Sequence, residues 1–542
     1  MTVAEVFQEI SAADFFYRNR DIAGFTSPSR SIYSTIRELV ENSLDACETG
    51  SIPPDIYVRL SHDSGPMEGP GTYILRVEDN GIGVPGDVIP SAFGQVLFGS
   101  KYKLRQTRGT FGLGGKMALL YGQITTHGEA QISSSTNPKH RITDIGLRTD
   151  IQHNKPVVLK KKTRPNTSHW QGTVIEFKTE ADYARAMPRI LEYFKQTAII
   201  VPYANLTFVD PRGRYYHFNR GTTTVPPAPT ETSPHPHGVD VETLQRMLRL
   251  TNAKTLQEFL QKDFQRIGET GAKNFLDYAG FQPENGAKRK RKVSKKEAAK
   301  RDPKNLPPAD IVKLVNAMKS YDHFLSPDPT CLSPLGEDLL STGIKKELGI
   351  SDDDVKNGSA FVQTLQRKPA TYSGFPFIIE VGVASGKQIE AQGKIILFRF
   401  ANKIPLLFDE ASDVSWKVVD QIDWRGYKVI PGETPLAIFV HVCSTKIPYK
   451  TVGKEFIADR PEVEHEILNA IREASRNLRI YLSRREHLAQ EKKRVDVFEK
   501  YLPKVAQYST KLSKSKKEPD VRPLLKSLLR YGTKQREEAK QE

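Results

Sequence analysis

Residues 37–46, Arg37-Glu38-Leu39-Val40-Glu41-Asn42-Ser43-Leu44-Asp45-Ala46, decide how this chain is read. Apolar Ile32, Ile36, Leu39, Val40 and Leu44 recur at helical spacings, so the segment is a helix that buries one stripe. At about 100° per residue, Glu38, Asn42 and Asp45 fall within one narrow arc of that helix. A carboxylate, an amide oxygen and a second carboxylate in a row offer hard metal ligands and a general base. A solvated polar face would carry the same residues, so the helix alone leaves both readings open.

Two further segments turn the reading toward a nucleotide. Residues 73–78 alternate like a strand and run into Asp79-Asn80-Gly81-Ile82-Gly83, a turn whose glycines admit a ligand closely. A carboxylate at that strand end can accept a hydrogen bond from an adenine amino group; an ordinary turn cap is the alternative. Gly81, Gly83 and Gly86 spell GxGxxG, but Pro85 and the following Asp87-Val88-Ile89-Pro90 open no helix at the third glycine, which argues against a dinucleotide site. Next, Gly109, Gly112, Gly114 and Gly115 precede Lys116 and the apolar run from Met117, as in loops whose backbone amides hold phosphates at a helix start. This is not a Walker loop: Thr110 stands where its first glycine belongs, and Met117 where its magnesium-binding hydroxyl belongs.

The ordered set of Glu-x3-Asn-x2-Asp on a helix, Asp-x-Gly-x-Gly after a strand and Gly-x-Gly-Gly-Lys in a loop resembles the ATPases of gyrase, Hsp90, histidine kinases and MutL, the GHKL or Bergerat fold. The resemblance implies that Glu38 activates the attacking water, Asn42 holds Mg2+ and Asp79 reads adenine. Gly81 and Gly83 would shape the adenine pocket, and the glycine loop would close over the phosphates as a lid. Gly172-Thr173, ahead of Val174-Ile175-Glu176-Phe177, matches a fourth element, a threonine near the adenine. The implied nucleotide contacts are Asn42, Asp45, Asp79, Gly81, Gly83, Ser100, Lys101, Gly109, Thr110, Phe111, Gly112, Leu113, Gly114, Gly115, Lys116, Met117 and Thr173. Periodicity does not separate Glu38 from Glu41, which lies on nearly the same face; the motif register selects Glu38.

Composition bounds the partners. The 542 residues give room for three or four domains. There is no apolar run of roughly 18 residues and no basic, apolar leader at the N-terminus, so neither a membrane span nor a signal peptide is expected. Cys47, Cys331 and Cys443 are far apart with no metal spacing, which fits a reducing intracellular compartment. Eighty basic against 64 acidic residues give a net charge of +16 and point to a polyanion such as nucleic acid. The charge concentrates at Lys288-Arg289-Lys290-Arg291-Lys292 with Lys295, Lys296, Lys300 and Arg301, and again at Lys511, Lys514, Lys516 and Lys517. Solvated linkers or nuclear localisation signals would have the same composition.

The domain order narrows the family. Residues 1–228 carry the nucleotide motifs and end in a Pro/Thr-rich linker; 229–310 read as a helical module with a basic insertion; 311–487 read as an α+β domain ending in a long helix; 488–542 read as a basic tail. With Arg399-Phe400-Ala401-Asn402-Lys403-Ile404-Pro405-Leu406-Leu407-Phe408-Asp409 and Ile447-Pro448-Tyr449 running to Gly453-Lys454, this α+β multidomain chain closely resembles the B subunits of topoisomerase VI, the type IIB DNA topoisomerases. The resemblance labels the helical module a helix-two-turn-helix domain and the α+β region a ribosomal-protein-S5-like transducer. It also makes Lys454, by itself an ordinary loop lysine, a switch lysine that enters the ATP site. It further implies an ATP-dependent homodimer, an N-terminal strap over residues 1–26, an A-subunit partner in an A2B2 heterotetramer, and double-stranded DNA as substrate. The expected place is an archaeal cytoplasm, on the nucleoid, or a nucleus in a eukaryote. A MutL-like repair ATPase would lack the helical insert, and a non-hydrolysing scaffold would have lost Glu38 or Lys454.

Overall fold

The computed structural model describes residues 9–99, 104–109, 112–280, 302–391, 393–450, 453–513 and 519–524. Eight strands, β1 (Asp55–Ser64), β2 (Gly71–Glu78), β3 (Ala130–Ser135), β4 (Ile142–Asp150), β5 (Lys155–Arg164), β6 (Gly172–Ala181), β7 (Asn205–Val209) and β8 (Tyr215–Phe218), form one sheet in the order β5-β4-β3-β6-β2-β1-β7-β8. Neighbours are antiparallel except β1 and β7. Along β2 every second residue is buried, so one face of the sheet receives helices. The helix Pro28–Thr49 lies there. Ser27 caps its start by accepting from the Arg30 amide, Pro28 presets the first turn, and the expected stripe of Ile32, Ile36, Leu39, Val40 and Leu44 is buried. Helices Gly114–Thr126 and Tyr183–Ile200 flank it. Near the N-terminus, the helix Ala12–Arg18 folds back onto its own sheet, with Ala13 buried and Ser11 Oγ donating to the Ile151 carbonyl at 2.6 Å.

The helical module has its own core, with Leu244, Leu248, Phe259, Phe275, Leu314 and Met318 packed together. The boundary expected at 310 cuts the helix Pro308–Ser320, whose Ile311, Leu314, Val315 and Met318 belong to that core. We therefore place the end of the module beyond Phe324, which packs against it. The basic cluster at 288–301 lies outside the described residues.

Six strands make the second sheet: β9 (Ala360–Gln366), β10 (Ala370–Tyr372), β11 (Phe375–Gly386), β12 (Ile396–Ala401), β13 (Ile404–Pro405) and β14 (Leu436–Ser444), ordered β10-β11-β14-β12-β13 with β9 also on β11. One face packs against the long helix Pro461–Leu512 through Val463, Ile467, Ala470, Ile471, Ala474 and Leu478. The other face joins the core of the first sheet: Phe398, Phe400 and Phe439, with Ile344 of the helix Glu337–Leu348, share one apolar cluster with Phe194 and Ile199. Gly343 packs so tightly on Ile199 that a Cβ would strike its carbonyl. The long helix does not give way near Arg485, as the charge of that region suggests, but runs to Leu512, so a boundary at 487 falls inside it. The extension carries Lys, Glu and Leu residues, which lose little rotamer freedom in a helix, and Phe498, Tyr501, Val505, Tyr508 and Leu512 keep heptad spacing along it. No helix among the described residues is long and apolar enough to cross a membrane.

Candidate nucleotide site

The site is built where three elements meet. Asp79 follows β2, beside the start of β6, and is buried. Its Oδ1 accepts from the Gly81 and Thr173 amides at 2.9 and 3.1 Å, and its Oδ2 from Ser43 Oγ at 2.9 Å. Burial pushes its carboxyl up to about 6 against the pull of those donors. Gly83 holds a φ of +68° with its Cα against Ser135, so only glycine fits there. Asp79, Gly81 and Thr173 thus converge on one small wall.

On the helix Pro28–Thr49, Glu38, Asn42 and Asp45 line one face. The glycine loop meets it directly: a Cβ on Gly114 would overlap the Glu38 carboxylate, and one on Gly115 would come within 2.8 Å of Asn42 Nδ2. Bare backbone thus lies against the Glu38 carboxylate and the Asn42 amide, side chains whose oxygens are of the hard-donor kind that suits Mg2+. Leu113 precedes the helix Gly114–Thr126, in which Lys116 and Met117 are buried, and the Lys116 ammonium donates to the Phe98 carbonyl. Gly112 turns with a φ of +60°, and Gly109 accepts from Thr107 Oγ1 through its carbonyl at 2.9 Å. Ser100, Lys101, Thr110 and Phe111 lie outside the described residues.

From the loop that follows β14 comes Lys454, 416 positions from Glu38 in the chain, with Nζ 3.4 Å from both Glu38 Oε1 and Glu41 Oε2. Burial alone would lower its pKa, but the two carboxylates outweigh that and raise it, so the ammonium keeps its charge. Arg37 bridges the same parts, donating to Glu38 Oε1 at 2.8 Å and to the Gly453 carbonyl at 3.2 Å. Arg30 pairs with Glu455. Burial, with Glu38 and Asp45 nearby, raises the Glu41 carboxyl even though Lys454 and Arg37 oppose it.

Several participants carry no signal of their own in the sequence. Ser43, within the quoted motif, reads as helix filler until Asp79 is seen beside it. Arg108, just ahead of the glycine loop, is buried and binds Asp45 Oδ1 at 2.8 Å and Glu48 Oε1 at 2.6 Å. Lys403 reaches Glu48 from 355 positions away, a pairing with no local signal.

An acidic helix face, a glycine loop and a lysine from a second, sheet-bearing domain meet in one two-part site, the arrangement of a GHKL-type ATPase. Residues 28–156 match the family described as histidine kinase-, DNA gyrase B-, and HSP90-like ATPase, and residues 327–494 match the topoisomerase VI B subunit transducer. The chain is 42% identical over 512 residues to the type 2 DNA topoisomerase 6 B subunit of Pyrobaculum aerophilum, covering 94% of this chain and 92% of that one. It is 41% identical over 507 residues to the corresponding protein of Metallosphaera sedula, covering 93% and 90%. Among solved structures it is similar to the 43K ATPase domain of Thermus thermophilus gyrase B, with a TM-score of 0.36, 12% identity and 91% and 98% coverage. The chain belongs to the family of type 2 DNA topoisomerase 6 B subunits, the ATPase subunits of an ATP-dependent type II topoisomerase.

Proposed function

We propose that this chain binds ATP between Asp79, the Glu38–Asn42–Asp45 face and the glycine loop, and hydrolyses it with Glu38 as general base. The observation that carries the reading is Lys454, a transducer residue held between Glu38 and Glu41. Asp79 accepts from the adenine amino group. Glu38 takes the proton of the attacking water, and Lys454 faces the negative charge that develops on the terminal phosphate. Asn42, with its amide oxygen on the same face, would hold Mg2+, which neutralises phosphate charge when bound. Backbone amides from Gly112 to Lys116 wrap the phosphates.

Because one ligand touches lid, base and Lys454 together, it binds the closed arrangement better than the open one and shifts the population toward it. In this reading two copies dimerise on ATP, enclose a DNA duplex and signal through the long helix to an A-subunit dimer, in an A2B2 assembly, that cleaves and passes DNA. Hydrolysis reopens the gate. The work is done on chromosomal DNA inside the cell.

Sedimentation of the purified chain with and without a non-hydrolysable ATP analogue tests this. Wild type and Glu38→Ala are expected to pass from monomer to dimer, whereas Asn42→Ala stays monomeric. A wild type whose mass ignores the analogue, with the A subunit present as well as absent, would sink the gate.

A further inference from the structure

Lys454 has a companion. The turn between β12 and β13 is Asn402-Lys403, and both residues are left-handed, with φ of 48° and 63°. Two such residues in a two-residue hairpin loop make a type I′ turn, where non-glycine residues persist only if their surroundings hold them. Here the hold is dense. The Asn402 amide donates to Val442, its side chain exchanges hydrogen bonds with both backbone groups of Ser444 at 2.9 Å, and the Lys403 amide donates to His441 Nε2 at 2.9 Å. With that nitrogen accepting, His441 carries its proton on Nδ1 and donates to Glu380 at 2.7 Å. Glu380 in turn accepts from the Leu335 and Gly336 amides at the start of the helix Glu337–Leu348. Cys443 completes a Glu-His-Cys trio of metal-ligand types, but metal there would strip these partners and orphan a buried Lys403 amide.

The other side of the turn faces the nucleotide machinery. Asn402 Nδ2 donates to the Thr107 carbonyl at 3.2 Å, and Gln106 exchanges two hydrogen bonds with the backbone of Ser333, at 3.2 and 2.7 Å. Lys403 Nζ lies 3.2 Å from Ser333 Oγ and 3.5 Å from Glu48 Oε2. Glu48 is gripped by Arg108, which also holds Asp45 on the face of Glu38 and Asn42. Two cations thus balance two carboxylates in a buried junction of catalytic helix, lid segment and transducer. β14 ends at Ser444, the partner of Asn402, and the chain continues from there to Lys454.

We propose that the Asn402-Lys403 turn is a positioning element for ATP hydrolysis: through Glu48, Arg108 and the segment 104–109 it ties the placement of Asp45 and the lid to that of the transducer, and so to Lys454. The proposal rests on the ATP-site reading above. Lys403 touches no reacting atom, so its loss alters how often the closed geometry forms and not how ATP is first held.

The test is steady-state ATP hydrolysis by the full chain carrying Lys403→Gly, Lys403→Arg or Gln106→Ala. Glycine accepts a φ of 63° more readily than lysine, so the turn survives while the ammonium goes. Arg108 and Tyr203 still satisfy Glu48. For Lys403→Gly we expect kcat to fall about tenfold with KM for ATP within about threefold, and Lys403→Arg to recover most of the rate; about 1.4 kcal/mol of transition-state placement corresponds to that tenfold. Gln106→Ala, which removes only neutral hydrogen bonds, should shift kcat the same way and serves if the glycine variant does not fold. An unchanged kcat in the folded variants, or a rise in KM alone, overturns the proposal. If Glu38→Gln hydrolyses ATP as fast as wild type, the ATP-site reading itself has failed, separately from the turn.

Discussion

Asp79 and Glu41 show how burial decides what a carboxylate can do. Both are buried, yet Asp79 meets three donors and Glu41 is left to share Lys454 and Arg37 with Glu38. The helical wheel does not rank Glu38 against Glu41; in the structure the glycine loop lies against Glu38, and Glu41 is the more deeply buried of the two. Asp79 makes a testable case. Its pKa is raised to about 6 from a reference of about 3.8, so the unfolded chain gives up this proton first. Its contribution to apo stability is therefore largest below about pH 4 and is lost as pH rises through about 6. Adenine recognition runs the opposite way, since an acceptor for the amino group needs the carboxylate. Nucleotide affinity should weaken as pH drops below about 6, approaching tenfold per unit, and Asp79→Asn should lose that slope. Titration calorimetry of both proteins across the same pH range checks this, because protonation of the nucleotide cancels between them; parallel slopes would remove Asp79 from the adenine pocket.

The elements that position the site were legible because their local patterns and their packing agree. The stripe on the helix Pro28–Thr49, the alternation of β2 and the apolar runs of β11, β12 and β14 each state their buried faces in sequence. The extension of the helix Pro461–Leu512 past Arg485 was not legible as structure, because charge density there suggests a solvated tail. Nor was the Arg108–Glu48–Lys403 junction, whose members come from three elements far apart in the chain. The glycine loop gives the sharpest test of element placement. In Gly114→Ala the new Cβ would displace the Glu38 carboxylate, the flexible end of a side chain, and not backbone. Thermal stability should therefore change by no more than about 1 kcal/mol, while kcat falls at least about tenfold because the base is misplaced. Melting curves together with ATPase kinetics separate the two; a large loss of stability with kcat intact would mean that the loop does not seat on the base.

The ATPase and transducer sheets share one apolar cluster, whereas the helical module keeps a core of its own. Chain length leaves room for three or four domains, each with its own core, and residues that meet only across an interface leave no periodic trace to merge two of them. This division bears on how DNA would be held. Gripping a duplex through phosphates needs cations and little shape, and nine basic residues against one acidic lie between 288 and 301, half of the net charge of +16. Each phosphate neutralised releases counterions, so log affinity should fall steeply and linearly with log salt, with little dependence on base sequence. Deleting 288–301 removes none of the described core residues of the helical module and none of the nucleotide-site residues named above, so ATP hydrolysis without DNA should stay at the wild-type rate. Each phosphate that the deletion leaves without its cation should flatten the salt slope by about 0.9. Fluorescence anisotropy of a labelled duplex at several salt concentrations measures that slope. An identical slope before and after deletion would assign the phosphate grip to other surfaces of the chain, and a strong preference among duplex sequences would mean that bases, and not the backbone, are being read.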